Sequence, residues 1–383
     1  MPAPSATLPA GARPYNALLC AMMAVISAAG AWFMRIAAIY YGIPVGFQDI
    51  VVAGVHPNGV PIKKNFTGLT YLDEGLSFLV TAFLSGSAGW NEAAYWQQFH
   101  FLLQFTTIVA ITTLEACRER HQRSWLKYTA LFAFLYQNIG GAVMMPLWAI
   151  VLFKVSGPNT YFQSGRTIPV PYARMLLPAY LVICLLPTIA MFIPGQSITS
   201  LQSVVAFWQL FPVLVNLPFW IASFFISSQS TTGKAKTADI PHLKIFYNSL
   251  LGINIVIHFI TMYKIASYED PMVTYSRVFI PDTAFFKTSM AEGVHWIFQW
   301  DWLLTALVYL IPAMVTIFDI FRLVPDIDDD SAGDKLFKGI YGVLALTVLG
   351  GPGAALAAIW GWREEQMVVM EERAEKEKAK KGL

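Results

Sequence analysis

Charge is scarce in this 383-residue chain: Asp, Glu, Lys and Arg together make up 13% of it, against 56% hydrophobic residues. A soluble domain of that composition would lack the polar surface needed to stay dissolved, so a water-bathed globule is excluded and lipid must cover much of the fold. Cysteine is scarce too. Cys20, Cys117 and Cys184 are far apart, odd in number and without CxxC or Cys/His spacing, which argues against a disulfide framework or a zinc site. They read as buried apolar fillers. With a net charge of only +2 and no basic stripe to follow a phosphate backbone, nucleic acid is not an expected partner. There is no internal repeat of the kind that builds most secondary transporters, and no helix with Arg at every third position.

What the chain does have is a series of stretches free of Lys, Arg, Asp and Glu, near the 18 to 25 residues or so that cross a bilayer. They fall at 15–34, 75–91, 93–114, 128–153, 175–195, 203–228, 245–263, 293–318 (which holds Asp301) and 339–362. The fold expected is all-α, a polytopic integral membrane helical bundle of eight or nine transmembrane helices. Residues 1–363 form a single bundle and 364–383 a charged, solvated cytosolic tail. The first apolar run exceeds a signal-peptide core, which favours a retained helix. The second window is the weakest, being short and ending near Ser85-Gly86-Ser87-Ala88-Gly89.

Lys and Arg orient the bundle, because short cytosolic loops carry more of them. Nine spans with a cytosolic C-terminus put the densest loop, Arg118, Arg120, Arg123 and Lys127, and the Lys-rich tail on the same side. The chain ends Lys380-Lys381-Gly382-Leu383, a dilysine pattern that points to the endoplasmic reticulum. The sequon Asn65-Phe66-Thr67 pulls the other way, toward a lumenal first loop, and eight spans would accommodate it.

Ionisable groups at bilayer depth cost about 2.5 to 3.5 kcal/mol each, so they mark cavities or partners. Asp301 is the clearest, set in Trp296-Ile297-Phe298-Gln299-Trp300-Asp301-Trp302. A carboxyl desolvated among Trp296, Trp300 and Trp302 is a candidate acid near neutral pH; the alternative is an interfacial carboxylate bonded across helices. Glu292, His295 and Gln299 share one face of that helix, with Asp301 turned about 120° from His295. A second polar stripe, Gln97, His100, Gln104 and Thr107, must face protein or water, and Asn254 and His258 are spaced alike. Asp73 and Glu74 diverge by about 100° on a helix and so serve different roles, as base or as helix-terminus acid. Tyr136-Gln137-Asn138 and Gly140-Gly141 bring donors and close helix contact into the fourth window, and in-span prolines widen cavities. Asp326-Ile327-Asp328-Asp329 matches the DxDD of soluble terpene cyclases but follows Pro325 in an acidic loop and reads as solvated; the Mg²⁺-binding DDxxD pattern is absent.

The layout resembles the membrane-bound terpene cyclases of fungal meroterpenoid pathways, of the ascochlorin and macrophorin kind, and their epoxide-hydrolase relatives. The likeness runs through length, span pattern, Tyr71-Leu72-Asp73-Glu74, the Gln97 to Gln104 stripe and the segment ending Asp301-Trp302. It implies an enzyme that takes a lipophilic polyene or its epoxide from the membrane lipid, donates a proton and lets an alkene, hydroxyl or water attack. Asp301 would be the acid, with Glu74, Asp73, His100, Glu292 or His295 as further catalytic candidates. Trp296, Trp300, Trp302, Gln104, Gln299 and Tyr136 would line the substrate pocket. No metal or other cofactor is called for, and an epoxidase, prenyltransferase and polyketide synthase are the expected functional neighbours. The rival readings are an epoxide hydrolase, a small-molecule transporter and a non-catalytic membrane adaptor.

Overall fold

The computed structural model describes residues 11–224, 236–323 and 332–380, and every regular element among them is helical. The acidic run 326–330 and the last three residues of the dilysine ending lie outside the described residues. The long elements are α1 (Asn16–Tyr41), α2 (Thr70–Ser87), α3 (Glu92–Ala116), α4 (Thr129–Ile139), α5 (Gly141–Ser156) and α6 (Val170–Ala190). After these come α7 (Ile198–Trp208), α8 (Phe211–Ser223), α9 (Ile240–Ala266), α10 (Met290–Leu323) and α11 (Gly333–Lys380). Nearly every residue of α3 is buried, from Ala93 to Glu115, so it is the central pillar around which the others pack. Asn91 starts it by accepting the Ala94 N–H at 2.9 Å, and its amide donates to Glu292 at 2.8 Å, fixing α10 beside it.

Six of these helices are long and apolar enough to cross a membrane, namely α1, α3, α6, α9, α10 and α11, and the pair α7–α8, bent by 43°, makes seven. By length and composition that is six or seven, not clearly the eight or nine expected, and the difference lies in particular elements. The 128–153 window is cut at Gly140 into two short helices, and the 75–91 window overlaps an 18-residue helix, Thr70–Ser87, whose first turn holds Asp73.

The expected last span, 339–362, folds back on itself. A methyl built on Gly339 would fall 3.4 Å from the Phe321 ring, while Trp362 also packs on Phe321 with ring centres 5.6 Å apart. In a straight helix residues 339 and 362 would lie about 35 Å apart, so one ring cannot touch both. The chain turns at Gly351 (φ 82°), the one non-helical position in α11, with Pro352 opening the second arm. Gln104 holds this tip. Its Oε1 accepts the Gly353 N–H at 2.7 Å and its amide donates to Gly350 O at 3.3 Å and Asn254 O at 3.1 Å.

At the far end of α3 a dense ionic cluster is sealed from solvent. Arg118 pairs with Glu115 at 3.1 Å and, through its other nitrogens, with Glu364. Arg363 reaches Glu115 at 2.9 Å, and Arg166 joins Glu364 at 2.8 Å to Asp239 at 3.0 Å. Glu364, expected to open a solvated tail, is thus buried in the cluster. The polar groups bind α3, α9 and α11 where packing of apolar side chains alone would not fix their register. His121 sits against the same cluster, and burial pushes its imidazole down to about 4 despite Glu115 nearby.

Candidate active site

The break between α4 and α5 begins with Gly140, whose φ of 117° favours glycine, and the end of the Met34 side chain packs into the space a Cβ would take. Interrupting the helix frees the N–H groups of the first turn of α5. Asp301, from α10, meets them. The Ala142 N–H donates to Asp301 Oδ1 at 2.6 Å, and the Thr305 hydroxyl donates to the same oxygen at 3.4 Å. A Cβ on Gly141 would lie 3.3 Å from Oδ1, so the second glycine lets the backbone approach the carboxyl. The Ala142 N–H and the Thr305 hydroxyl both end on Oδ1, and the Gly141 N–H also bonds the carboxyl, so the backbone of the break holds the acid at the cavity it lines. A helix N-terminus is a natural partner for the negative charge that remains after a proton is delivered.

Asp301 is 6% exposed, and what it faces is a cavity of ≈ 970 Å³, mouth included, enclosed by α1, α2, α3, the α4–α5 break and α10. Its walls are aromatic: Phe83, Phe101, Phe105, Tyr136, Trp208 and Phe298. Asp301 is the single carboxylate lining it among the described residues. Exposed Arg35, Asn138 and Phe78 stand at the mouth, where Arg35 Nη2 donates to Asn138 O at 2.7 Å.

Of the catalytic and pocket candidates named from the sequence, the structure brings two into this cavity, Asp301 and Tyr136; Gln137, Asn138, Gly140 and Gly141, picked out as donors and a close helix contact, line it as well. Trp300 stacks on Phe33 at 3.7 Å and Trp296 packs edge-on against the same ring, while Trp302 lies against His100 and Phe101, with ring centres 5.2 Å apart in each case. Gln104 serves the α11 tip, and Gln299 donates to Arg277 O at 2.9 Å and Val278 O at 3.1 Å. Glu292 is paired with Arg277, and His295 contacts Val278 O at 3.2 Å. His100 meets His258 at 2.9 Å, and His258 in turn meets Val348 O at 3.0 Å. Asp73 accepts the Thr67 N–H and hydroxyl, both at 2.8 Å, and the Gly68 N–H at 3.0 Å. Glu74 is exposed. None of these side chains lines the cavity.

Sequence reading missed the phenylalanines of α2 and α3, Trp208 and Arg35. Phenylalanines carry no pattern that separates a pocket wall from core. Arg35 did carry a signal: the first charge-free window stops at residue 34 because of it, yet the helix runs on to Tyr41, leaving the arginine inside a membrane-length element. Among the described residues no three His, Cys, Asp or Glu side chains gather as a metal site would require.

Comparison with known proteins adds the family. The CtvD domain matches residues 19–369. The chain is 28% identical over 344 residues to terpene cyclase ascI of Acremonium egyptiacum, covering 86% of this chain and 88% of that one. It is 30% identical over 194 residues to terpene cyclase ctvD of Aspergillus terreus, covering 48% of this chain and 55% of the relative. A third relative, FAD-dependent monooxygenase anuJ of Penicillium roqueforti, is 24% identical over 324 residues, which span 82% of this chain and only 37% of that protein. No solved structure matches.

Proposed function

Because the chain belongs to the family defined by the CtvD domain, whose relatives here include terpene cyclases, we propose that it is a membrane-bound cyclase of lipophilic polyenes or prenyl chains, with Asp301 as its acid. The observation that carries this reading is the Asp301 carboxyl at an aromatic-walled cavity, with Oδ1 tied to the Ala142 N–H.

The substrate in this proposal is a terminal epoxide. The Asp301 carboxyl gives its proton to the epoxide oxygen, and the C–O bond to the more substituted carbon breaks. An alkene of the same chain attacks that carbon, forming a C–C bond and moving the positive charge along the chain. The faces of Phe83, Phe101, Phe105 and Phe298 surround that charge and attract it. Loss of a proton ends the reaction as an alkene, and the Asp301 carboxylate left by the first step is the one carboxylate lining the cavity to receive it. The balance is an isomerisation that needs no co-reactant. Protonation of a terminal alkene would use the same carboxyl.

The test is to express the chain in yeast microsomes and supply a farnesylated aromatic epoxide. A cyclic product of unchanged mass supports the proposal. A diol, heavier by one water, would assign hydrolysis instead, and recovery of intact substrate would count against both.

A further inference from the structure

We infer that Arg35 is a substrate-positioning residue, and that the ligand of this cavity carries an acidic oxygenated head, a carboxylate or acidic phenol, which Arg35 holds at the mouth while the apolar chain enters first. The inference deepens the cyclase reading and rests on it for the identity of the chain end that reacts.

Three observations lead to it. Arg35 lies six residues inside the C-terminal end of α1, and its guanidinium donates to Asn138 O at 2.7 Å, at the level of the α4–α5 break. An arginine inside a helix of membrane-crossing length and composition is costly where it meets lipid and is kept where it faces a partner or a cavity. Second, among the described residues it has no carboxylate within ion-pair distance, Asp301 acting on it only from further off, whereas Arg13, Arg118, Arg120, Arg166, Arg277 and Arg363 each have one. Asn138 takes one of its N–H groups and is neutral, so the positive charge and most of the donors remain open toward the mouth. Third, the cavity is polarised. Arg35 and Asn138 are exposed at the opening, and the rings of Phe101, Phe105, Trp208 and Phe298 line the interior.

A π-helical stretch, Trp32–Ile36, places Arg35 there. The wider turn rotates the arginine out of the register of a regular helix, while Phe33 stacks on Trp300 and Met34 packs against Gly140. A planar guanidinium at a low-dielectric mouth fits a carboxylate through paired charge-assisted hydrogen bonds, and it gives little to an ester or ether of the same size. The head is therefore selected by charge, and its retention at the mouth points the far end of the chain inward toward Asp301.

The decisive measurement is binding, which needs no turnover. Full-length protein in nanodiscs, wild type and Arg35→Gln, is titrated with a farnesyl-substituted benzoic acid and with its methyl ester, followed by tryptophan fluorescence. Wild type should bind the acid at least about tenfold more tightly than the ester, the scale of a charge-assisted bond in a partly dry site. In Arg35→Gln the acid-to-ester ratio should fall to about one, and Arg35→Lys should restore part of it. Equal affinities in wild type, or a preference that survives in Arg35→Gln, would overturn the inference. Saturable ester binding by the variant shows that its cavity is intact. Asp301→Asn should keep the acid preference, so a failed cyclase reading and a failed role for Arg35 give different results.

Discussion

The main-chain N–H of Ala142 donates to Oδ1 of Asp301 at 2.6 Å, joining positions 159 residues apart. The carboxyl is fixed by the backbone of the helix break and lines an aromatic cavity. That arrangement depends on a helix being broken at Gly140, which makes the glycine as necessary as the acid.

Gly140→Ala should therefore damage the site without touching the acid. The added methyl meets Met34 Cε at 2.4 Å, and an alanine at φ 117° is strained. A penalty of about 1–3 kcal/mol is expected from such backbone strain. Turnover should drop by at least about tenfold, with a lower melting temperature in detergent. Unchanged activity and melting would show that the break is not needed.

Opening the cavity wall should change the product. Phe105 lines the cavity and packs edge-on against Tyr136, with ring centres 5.1 Å apart. Phe105→Ala removes a cation-facing ring and makes room for water. Slower cyclisation and a rising share of hydroxylated or diol products, read by mass spectrometry, are expected. A product profile identical to wild type would remove Phe105 from the pocket's chemistry.

The hairpin form of α11 predicts its own topology. Since residues 339 and 362 both rest on Phe321, the two arms start and finish at the same end of the bundle, and both ends should face the same side of the membrane. Single cysteines placed at Asp334 and Lys378 in a cysteine-free background should react with an impermeant maleimide from the same side of sealed microsomes. Labelling from opposite sides would mean that α11 crosses.

Acid should weaken the ionic cluster through His121. Its imidazole is held neutral by burial down to about 4, whereas in the unfolded chain it takes a proton near its ordinary 6.5. The unfolded state then binds more protons between those values, so stability is full above about pH 6.5 and is lost as pH falls toward 4. His121→Asn should flatten the fall in melting temperature across that window. The same slope in variant and wild type would place the acid sensitivity elsewhere.

Much of this fold is legible in the sequence, and the failures have physical causes. The windows at 93–114 and 293–318 became α3 and α10 because they are continuous runs with no internal break. The window at 339–362 looked the same by composition, yet Gly351-Pro352 folds it, and hydropathy does not register a single backbone angle. At the site, Asp301 stood out because a carboxylate is rare among tryptophans. Its partners did not: Ala142 contributes only a backbone N–H, and Gly140-Gly141 read as a close helix contact when they are a helix break. Trp296, Trp300 and Trp302, adjacent in sequence to the acid, turn to α1 and α3, because neighbours on a helix point about 100° apart.

The central claim is that Asp301 delivers the proton, and the variant that tests it most directly is Asp301→Asn, which keeps the shape and an oxygen to accept the Ala142 N–H. In microsomes supplied with the farnesylated epoxide, the variant should accumulate to wild-type level and bind the chain, while cyclic product falls by at least about a thousandfold, as expected on loss of an essential acid. Cyclic product formed at a rate within a few fold of wild type would contradict the account.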